Sequence, residues 1–345
     1  NGGFISENDL AHYRGGWEQP ITGQIGPYTF FGNGTWSQGI MEPLVLQILE
    51  TLPLKELGHN SPQYIHAVTQ AIELAMSDRD TYVADSAFVQ VPVDRLLSPE
   101  YAHERQSQMT ASAFQGSAVA GEIAGFGGTR QGRKQAVSDT RPHDRKLADF
   151  AIGQDTSQIA VIDKLGNAVV ITPSDFPKSP MLPGTGLNLG DRMTQFQLDP
   201  EHVNALQPGK RPRITPHSVI VFKDGKFFLA FSTPGGDMQA QALVQVFLNM
   251  RVFGMDIQQA IAAPRFYSIN SPSSFSPHEA TPGGLRLEQT LYREHAQALA
   301  QLGYKVLQDP DWDKDFGAVG GILRNDDGTL LVGADPREET TAAAD

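Results

Sequence analysis

The sequence predicts an α+β protein built as a four-layer αββα sandwich. Short β-rich runs recur in pairs around Gly-Asn or Asp-Gly turns, and helical stretches lie between and after them. The strand runs are apolar on both faces, so both sheets are expected to be covered on both sides.

Residues 1 to about 100 read as compact and mixed. A short apolar helix is predicted over 43–52. A longer one starts at Ser61, with Ser61 as N-cap, Pro62 at the first helical position, and Ile65, Val68, Ile72 and Ala75 on one face. Residues 105–154 differ. They are rich in Gln, Ser, Ala, Gly, Arg and Lys, with Phe114, Ile123, Phe126, Leu147, Phe150 and Ile152 scattered among them. This composition reads as a mobile connector, and an ordinary long linker has the same composition.

After Thr156 come the hairpins. Ile159-Ala160-Val161-Ile162-Asp163 pairs with Ala168-Val169-Val170-Ile171-Thr172, and Ser218-Val219-Ile220-Val221-Phe222 with Phe227-Phe228-Leu229-Ala230-Phe231. Gly320-Gly321-Ile322-Leu323 pairs with Leu330-Leu331-Val332. Helices are predicted over 238–252, 257–262 and 290–302, the first apolar almost all round and therefore buried.

At 345 residues, 40% hydrophobic and 19% charged, the chain has the composition of a globular protein with a sizeable core. A net charge of −12 argues against nucleic acid and anionic membrane surfaces as partners. No run approaches the roughly 18–20 apolar residues of a membrane span. The absence of cysteine excludes disulfides, thiolate metal sites and a cysteine nucleophile, and it assigns no compartment. The chain begins at Asn1 with a strand-and-turn pattern already under way, which reads as a fragment lacking its N-terminal part.

Thr156, in Asp155-Thr156-Ser157-Gln158-Ile159, stands in front of a strand and follows the connector. A threonine hydroxyl attacks a carbonyl only when something takes its proton. Cutting the bond before it would make its own α-amine, with a pKa near 8, that base. Thr233-Pro234-Gly235-Gly236-Asp237 leads from a strand into the buried helix. Two successive glycine N–H groups at a helix start suit an oxyanion, although glycine also simply permits a tight turn. Together these features suggest an N-terminal-nucleophile (Ntn) amidohydrolase. Asp237 reads as the helix N-cap. Ser174 sits just past the return strand of the hairpin that Thr156 starts, so it is placed to orient Thr156; a plain turn serine is the alternative.

The glycine-rich run 183–192 has neither dinucleotide nor phosphate-loop spacing and reads as a substrate-lining loop, with Arg192 a candidate for a substrate carboxylate. The nine histidines show no metal-ligand spacing, so neither metal nor cofactor is expected. His278 is a loop histidine without an assigned role, and Trp36 and Trp312 are candidates for pocket walls.

Thr156-Ser157-Gln158-Ile159-Ala160-Val161-Ile162-Asp163, with Gly166-Asn167-Ala168-Val169, resembles the start of the small subunit of γ-glutamyltranspeptidases. Lys210-Arg211-Pro212, Pro234-Gly235-Gly236, Ala263-Pro264-Arg265-Phe266 and Gly333-Ala334-Asp335-Pro336-Arg337 extend the resemblance. Upstream, Leu57-Gly58-His59-Asn60-Ser61 and Ala75-Met76-Ser77-Asp78-Arg79 resemble the end of the large subunit. The resemblance implies the αββα Ntn-hydrolase fold and a precursor that cuts itself before a nucleophilic threonine. It makes residues 1–155 the C-terminal part of a large-subunit region ending in a mobile pre-cleavage segment (about 105–155), and residues 156–345 the small-subunit region.

By the same resemblance Thr156 is the nucleophile, Ser174 replaces a supporting threonine, and Gly235 and Gly236 form the oxyanion hole. The substrate positions depart from the family. Phe176, with Asp175 beside it, stands where an asparagine holds the glutamyl amine. Gln195 replaces an aspartate of that amine site, Arg192 a nearby glutamine, and Ile214 and Thr215 the carboxylate-binding serine pair. The expected activity is therefore a γ-glutamyltransferase-like amidase or acyltransferase on a small amide, either γ-glutamyl (glutathione-type) or with an altered acyl group. Asp175, Arg192, Gln195 and Thr215 are its candidate substrate contacts. The alternative is an unprocessed, non-catalytic binding protein on the same fold.

Overall fold

The computed structural model describes residues 6–126, 156–174, 181, 184, 190 and 192–343. In chain order its helices are α1 (Glu7–His12), α2 (Met41–Leu49), α3 (Leu54–Leu57), α4 (Pro62–Tyr82), α5 (Val93–Leu96), α6 (Pro99–Gln106), α7 (Met238–Phe253), α8 (Ile257–Ala262) and α9 (Gln289–Gln301). The first strands are β1 (Ile21–Ile25), β2 (Tyr28–Gly32), β3 (Ile159–Ile162), β4 (Ala168–Ile171), β5 (Ser218–Lys223) and β6 (Lys226–Ser232). They are followed by β7 (Phe266–Ser268), β8 (Gly284–Glu288), β9 (Lys305–Asp309), β10 (Gly320–Arg324) and β11 (Leu330–Ala334).

An antiparallel sheet in the order β1-β2-β5-β6-β10-β11 forms the centre. Its hairpins follow the turn chemistry. Asp224 and Gly225 both adopt left-handed backbone (φ 50° and 76°), the geometry of a two-residue hairpin turn, between paired Lys223 and Lys226. Helices α2 and α7 pack against this sheet and α4 packs on α2, with Leu44, Val45, Ile48, Ile65, Val68, Ile72, Leu243 and Phe247 buried. Ser61 caps α4 through its side chain, which accepts from the Tyr64 N–H. The expected helices all form, with bounds that differ by at most three residues.

The central helix α7 is buried along Met238 to Asn249, including Gln239, Gln241, Gln245 and Asn249. Their amides are satisfied. Gln241 donates to Ser268 O (3.1 Å) and accepts from Ser268 N (2.9 Å), and Gln245 does the same with Phe266 (2.9 and 3.1 Å). Two glutamines one helical turn apart thus act as a hydrogen-bonding edge for β7, which among the described residues otherwise pairs only with β8.

The other face of the central sheet carries the two-stranded ribbon β3–β4. Its inner face is seated closely. A Cβ at Gly320 would lie 1.8 Å from the Gln158 amide nitrogen, so any side chain there would displace the end of the Gln158 side chain. The outer face departs from the expectation that both sheets are covered on both sides. Ile159, Val161, Val169 and Ile171 are about half exposed, 47–53% each. Among the described residues the helix layer, the six-stranded sheet and this ribbon stack in that order, with the sheet β7-β8-β9 as a further element of the expected α+β fold.

The connector also differs from expectation at its start. Residues 107–126 have no regular structure, yet Ala113, Ala118, Ala120 and Ile123 are buried. The Ala113 N–H donates to Leu302 O (2.7 Å), the Gly116 N–H to Asn270 Oδ1 (2.9 Å) and the Gly121 N–H to Asp78 Oδ1 (2.8 Å). Polar composition there reflects backbone groups bonded to the fold rather than looseness. Residues 127–155 lie outside the described residues.

Candidate active site

Thr156 and Ser174 lie three residues outside the two ends of the β3–β4 ribbon. The ladder continues past the strands through Ser157 N–H to Pro173 O (3.0 Å), which brings both hydroxyls to one end. Thr156 Oγ1 and Ser174 Oγ are 2.7 Å apart, a hydrogen bond in which either is the donor. Thr156 is nearly buried. The return strand is pinned in turn: Thr172 Oγ1 donates to His217 O (2.8 Å) and lies 2.7 Å from Ser218 Oγ at the start of β5. His217 is itself fixed by buried Glu42 (2.6 Å). Burial pushes the imidazole down, but the Glu42 carboxylate more than offsets this and raises its pKa.

Behind Ser174 stands Arg192, at the start of a 3-10 helix Arg192–Gln195. Its guanidinium donates to the Ser174 hydroxyl and weakly to Ser174 O (3.4 Å), and to Gln195 Oε1 (3.3 Å). Gln195 Nε2 reaches Thr215 Oγ1 (3.3 Å). Gln38 Nε2 donates to Thr215 O (2.7 Å) and Gly236 O (3.3 Å). An unbroken series of hydrogen bonds therefore runs from Thr156 through Ser174, Arg192, Gln195, Thr215 and Gln38 to the glycine pair. Arg192, expected to meet a substrate carboxylate, is placed on Ser174 and Gln195.

Gly235 and Gly236 both have positive φ (127° and 57°), which side-chain-bearing residues rarely adopt, and both are buried at the mouth of α7. Among the described residues no acceptor takes their N–H groups. Asp237 occupies the expected N-cap position of α7 but does not cap it with its side chain. It makes no capping bond, because its carboxylate turns toward Arg79 Nη1 (2.8 Å), Ser274 N (2.7 Å) and Ser274 Oγ (2.6 Å). Burial pushes this carboxyl up, yet Arg79 and Ser274 hold it below the ordinary carboxylate value. The anion is thus aimed away from the glycine amides.

Asp175 and Phe176, and most of the run 183–192, lie outside the described residues. His278 clasps a loop, its ring nitrogens 2.9 Å from Ser273 O and 3.1 Å from Phe196 O. Trp36 stacks under Arg211, and Trp312 is exposed. Sequence reasoning missed Gln38, Asn204, Arg213 and Ser274. A polar residue whose partner lies up to 198 positions away has no local signal. Arg79 was visible only as part of a motif.

The sequence profile of the gamma-glutamyltranspeptidase family matches residues 1–345. The chain belongs to the γ-glutamyltranspeptidase family. It is 31% identical to a glutathione hydrolase-like YwrD proenzyme of Bacillus subtilis, over 99% of this chain and 59% of that protein. It is 30% identical to an acylase proenzyme (ACY 1) of a Pseudomonas species, over 100% of this chain and 55% of that protein. The crystal structure of a cephalosporin acylase from Bacillus halodurans superposes with a TM-score of 0.80 at 28% identity, covering 99% of this chain and 56% of that one. The chain thus spans less than two thirds of these members of the γ-glutamyltranspeptidase family.

Proposed function

We propose that this chain carries the acyl-transfer centre of a self-processing, γ-glutamyltransferase-like amidohydrolase with Thr156 as nucleophile. The observation that supports it most is the 2.7 Å contact between Thr156 and Ser174 at the buried end of the ribbon. Cleavage of the 155–156 bond divides the chain into regions 1–155 and 156–345, contributions to a large and a small subunit. It frees the Thr156 amine, whose pKa near 8 suits a general base. The amine takes the hydroxyl proton as Oγ1 attacks the amide carbon. The resulting oxyanion meets the Gly235 and Gly236 N–H groups. Collapse breaks the C–N bond, the proton passes to the leaving amine, and water or a second amine then opens the acyl ester. Ser174, held by the Arg192 guanidinium, orients Thr156 and makes charge on its oxygen cheaper.

The substrate is a small amide. Relatives named glutathione hydrolase-like and acylase bracket the choice between γ-glutamyl and other acyl groups. A neutral Gln195 in the wall beside Thr215 favours an altered acyl group, because an ammonium would find no carboxylate there. Asp175 is the remaining candidate partner for an ammonium.

The test is intact mass of protein expressed from its complete reading frame, incubated for a day, beside Thr156→Ala. The expected result is a species starting at Thr156 in the wild type alone. If both proteins stay whole while folded, the nucleophile assignment fails and a non-catalytic binding role takes its place. Cleaved enzyme is then screened on γ-glutamyl and non-glutamyl amides.

A further inference from the structure

His217 stands between the two halves of the candidate site, and both of its ring nitrogens face acceptors. Nδ1 lies 3.1 Å from Thr215 O and Nε2 2.6 Å from Glu42 Oε1, and both side chains of the His217–Glu42 pair are fully buried. A carbonyl and a carboxylate accept hydrogen bonds and donate none, so this geometry asks for a proton on each ring nitrogen. A neutral imidazole carries only one. Among the described residues the Glu42 carboxylate bonds to nothing else, since its Oε2 has no partner. A buried anion with a single partner calls for that partner to be charged. The charged groups acting on the ring are Glu42 from α2 and Arg79 from α4. Burial pushes the pKa of the ring down and Arg79 adds to the push, but the Glu42 carboxylate and Thr215 O raise it by more.

The main chain of the same residue reaches both sides of the site. His217 O accepts from Thr172 Oγ1 (2.8 Å), two residues before Ser174 on the return arm of the ribbon. His217 N donates to Gln239 Oε1 (3.2 Å) in the first turn of α7, and Gln239 N donates to Gly236 O (3.2 Å). Thr215 O, the carbonyl that faces Nδ1, also receives Gln38 Nε2, which reaches Gly236 O as well. A displaced His217 would therefore move the support of the nucleophile and the glycine pair relative to each other. The imidazole resists that displacement, with Glu42 on one side and Thr215 O on the other. Misplacing reacting groups by about 1 Å costs roughly 100-fold in rate.

We propose that His217 is a positioning residue for acyl transfer, clamped as an imidazolium between Glu42 and Thr215 so that its main chain sets the spacing between the Thr156–Ser174 end of the ribbon and the Gly235–Gly236 turn. This inference rests on the acyl-transfer reading of the site. His217 touches no substrate in this role and acts through Thr172 and Gln239.

The experiment follows self-cleavage before Thr156 by intact mass, in protein expressed from its complete reading frame, at about pH 5.5 and about pH 8. Wild type, Glu42→Gln and His217→Gln are compared. Nitrogen NMR of histidine-labelled protein reads the two ring nitrogens, with His217→Gln assigning the signal. In the wild type both nitrogens should be protonated at both pH values. Glu42→Gln keeps a hydrogen-bonding side chain of the same shape and removes the counter-charge, so the ring should be singly protonated at the higher pH. Its cleavage should be about 10- to 100-fold slower than wild type near pH 8, with a smaller deficit near pH 5.5 where the imidazolium returns. His217→Gln should be slow at both. A cooperative thermal transition in each variant shows that the loss is not unfolding, and the ring reading on the wild type tests the clamp even where a variant fails to fold. A deficit in Glu42→Gln that is equal at both pH values marks a merely structural pair and overturns the proposal. An unchanged rate in Glu42→Gln near pH 8 also overturns it, and so does a wild-type ring with an unprotonated nitrogen. A wild type that never cuts itself removes the acyl-transfer reading and this proposal with it, whereas equal cutting by wild type and both variants overturns the proposal and leaves Thr156 in place.

Discussion

Two buried ionic clusters in this protein look alike by composition and differ in balance. In the first, Arg265 meets Asp335 (2.7 Å), and Arg337 meets Asp335 (3.0 Å) and Glu288 (2.6 Å). Two cations face two anions, and the other valences are filled except Arg265 Nε, which has no partner among the described residues. Asp335 Oδ2 also accepts from Val319 N (2.8 Å), and Glu288 Oε2 from Arg265 N (2.8 Å). Arg265 Nη1 donates to Phe316 O (2.9 Å) and Gly317 O (3.2 Å). In the second cluster Arg79 pairs with Asp237 (2.8 Å), while Asp80 and Asp237 act on the neighbouring Arg213 through their charges, with no ion pair to it among the described residues. The first cluster is closed and ties α8, β8 and the end of β11 together. The second is held by fewer hydrogen bonds among the described residues, and its charges are balanced partly at a distance.

The largest effect should come from opening the closed cluster. Asp335→Asn leaves two buried guanidiniums with one carboxylate, and urea unfolding should show a loss of about 3–5 kcal/mol. A loss under about 1 kcal/mol would mean that the two clusters do not differ in kind.

At the site, Ser174→Ala removes the link between Arg192 and Thr156. Self-cleavage followed by intact mass should slow about 10- to 100-fold, as expected for a charge-assisted hydrogen bond. An unchanged rate would reduce Ser174 to a turn residue.

Arg213→Met should be mild by comparison. Removing a cation that has no hydrogen-bonded partner among the described residues should change unfolding free energy by no more than about 1 kcal/mol. A loss as large as that of Asp335→Asn would mean that the two clusters are held equally tightly.

Glu73 extends the comparison to a buried acid with no ion pair. Its Oε1 accepts from Ser268 Oγ (2.6 Å), and its Oε2 has no partner. Burial, opposed by Ser268 and Asn270, pushes the carboxyl from an ordinary 4.5 up to about 7. Between these values the folded state holds a proton that the unfolded state has lost, so stability falls as pH rises. Thermal melts should therefore show Glu73→Gln less sensitive than wild type from about pH 4.5 to 7. Asp78, raised to about 6 by burial against Arg105, leaves a residual slope of the same sign. Equal slopes in both proteins would place the Glu73 carboxyl in a wetter environment than its burial implies.

Local signals carried much of this reading. The Ser61-Pro62 start, the Asp224-Gly225 turn and the glycine pair before α7 each need only neighbours in sequence, and each forms as expected. The Thr156–Ser174 juxtaposition was also legible, because a hairpin returns its ends to one place whatever surrounds it. Reading failed where a residue's partner was distant. Asp237 has the composition and place of an N-cap, but Arg79, 158 positions away, takes its carboxylate. Residues 107–126 have the composition of a linker, yet their amides find Leu302, Asn270 and Asp78.

By itself the sequence determined the strand pairs, the helices, the family and the pairing of a threonine with a serine at the end of a ribbon. All of these follow from periodicity, turn chemistry and motifs, which act over a few residues at a time. Tertiary structure alone decided which charges are balanced. It placed Arg192 on Ser174, built the cluster of Arg265, Asp335, Arg337 and Glu288, and left Arg213 Nε without an acceptor among the described residues. The physical reason is that the energy of a buried charge depends on what lies within a few ångströms of it, and chain order does not specify that neighbourhood.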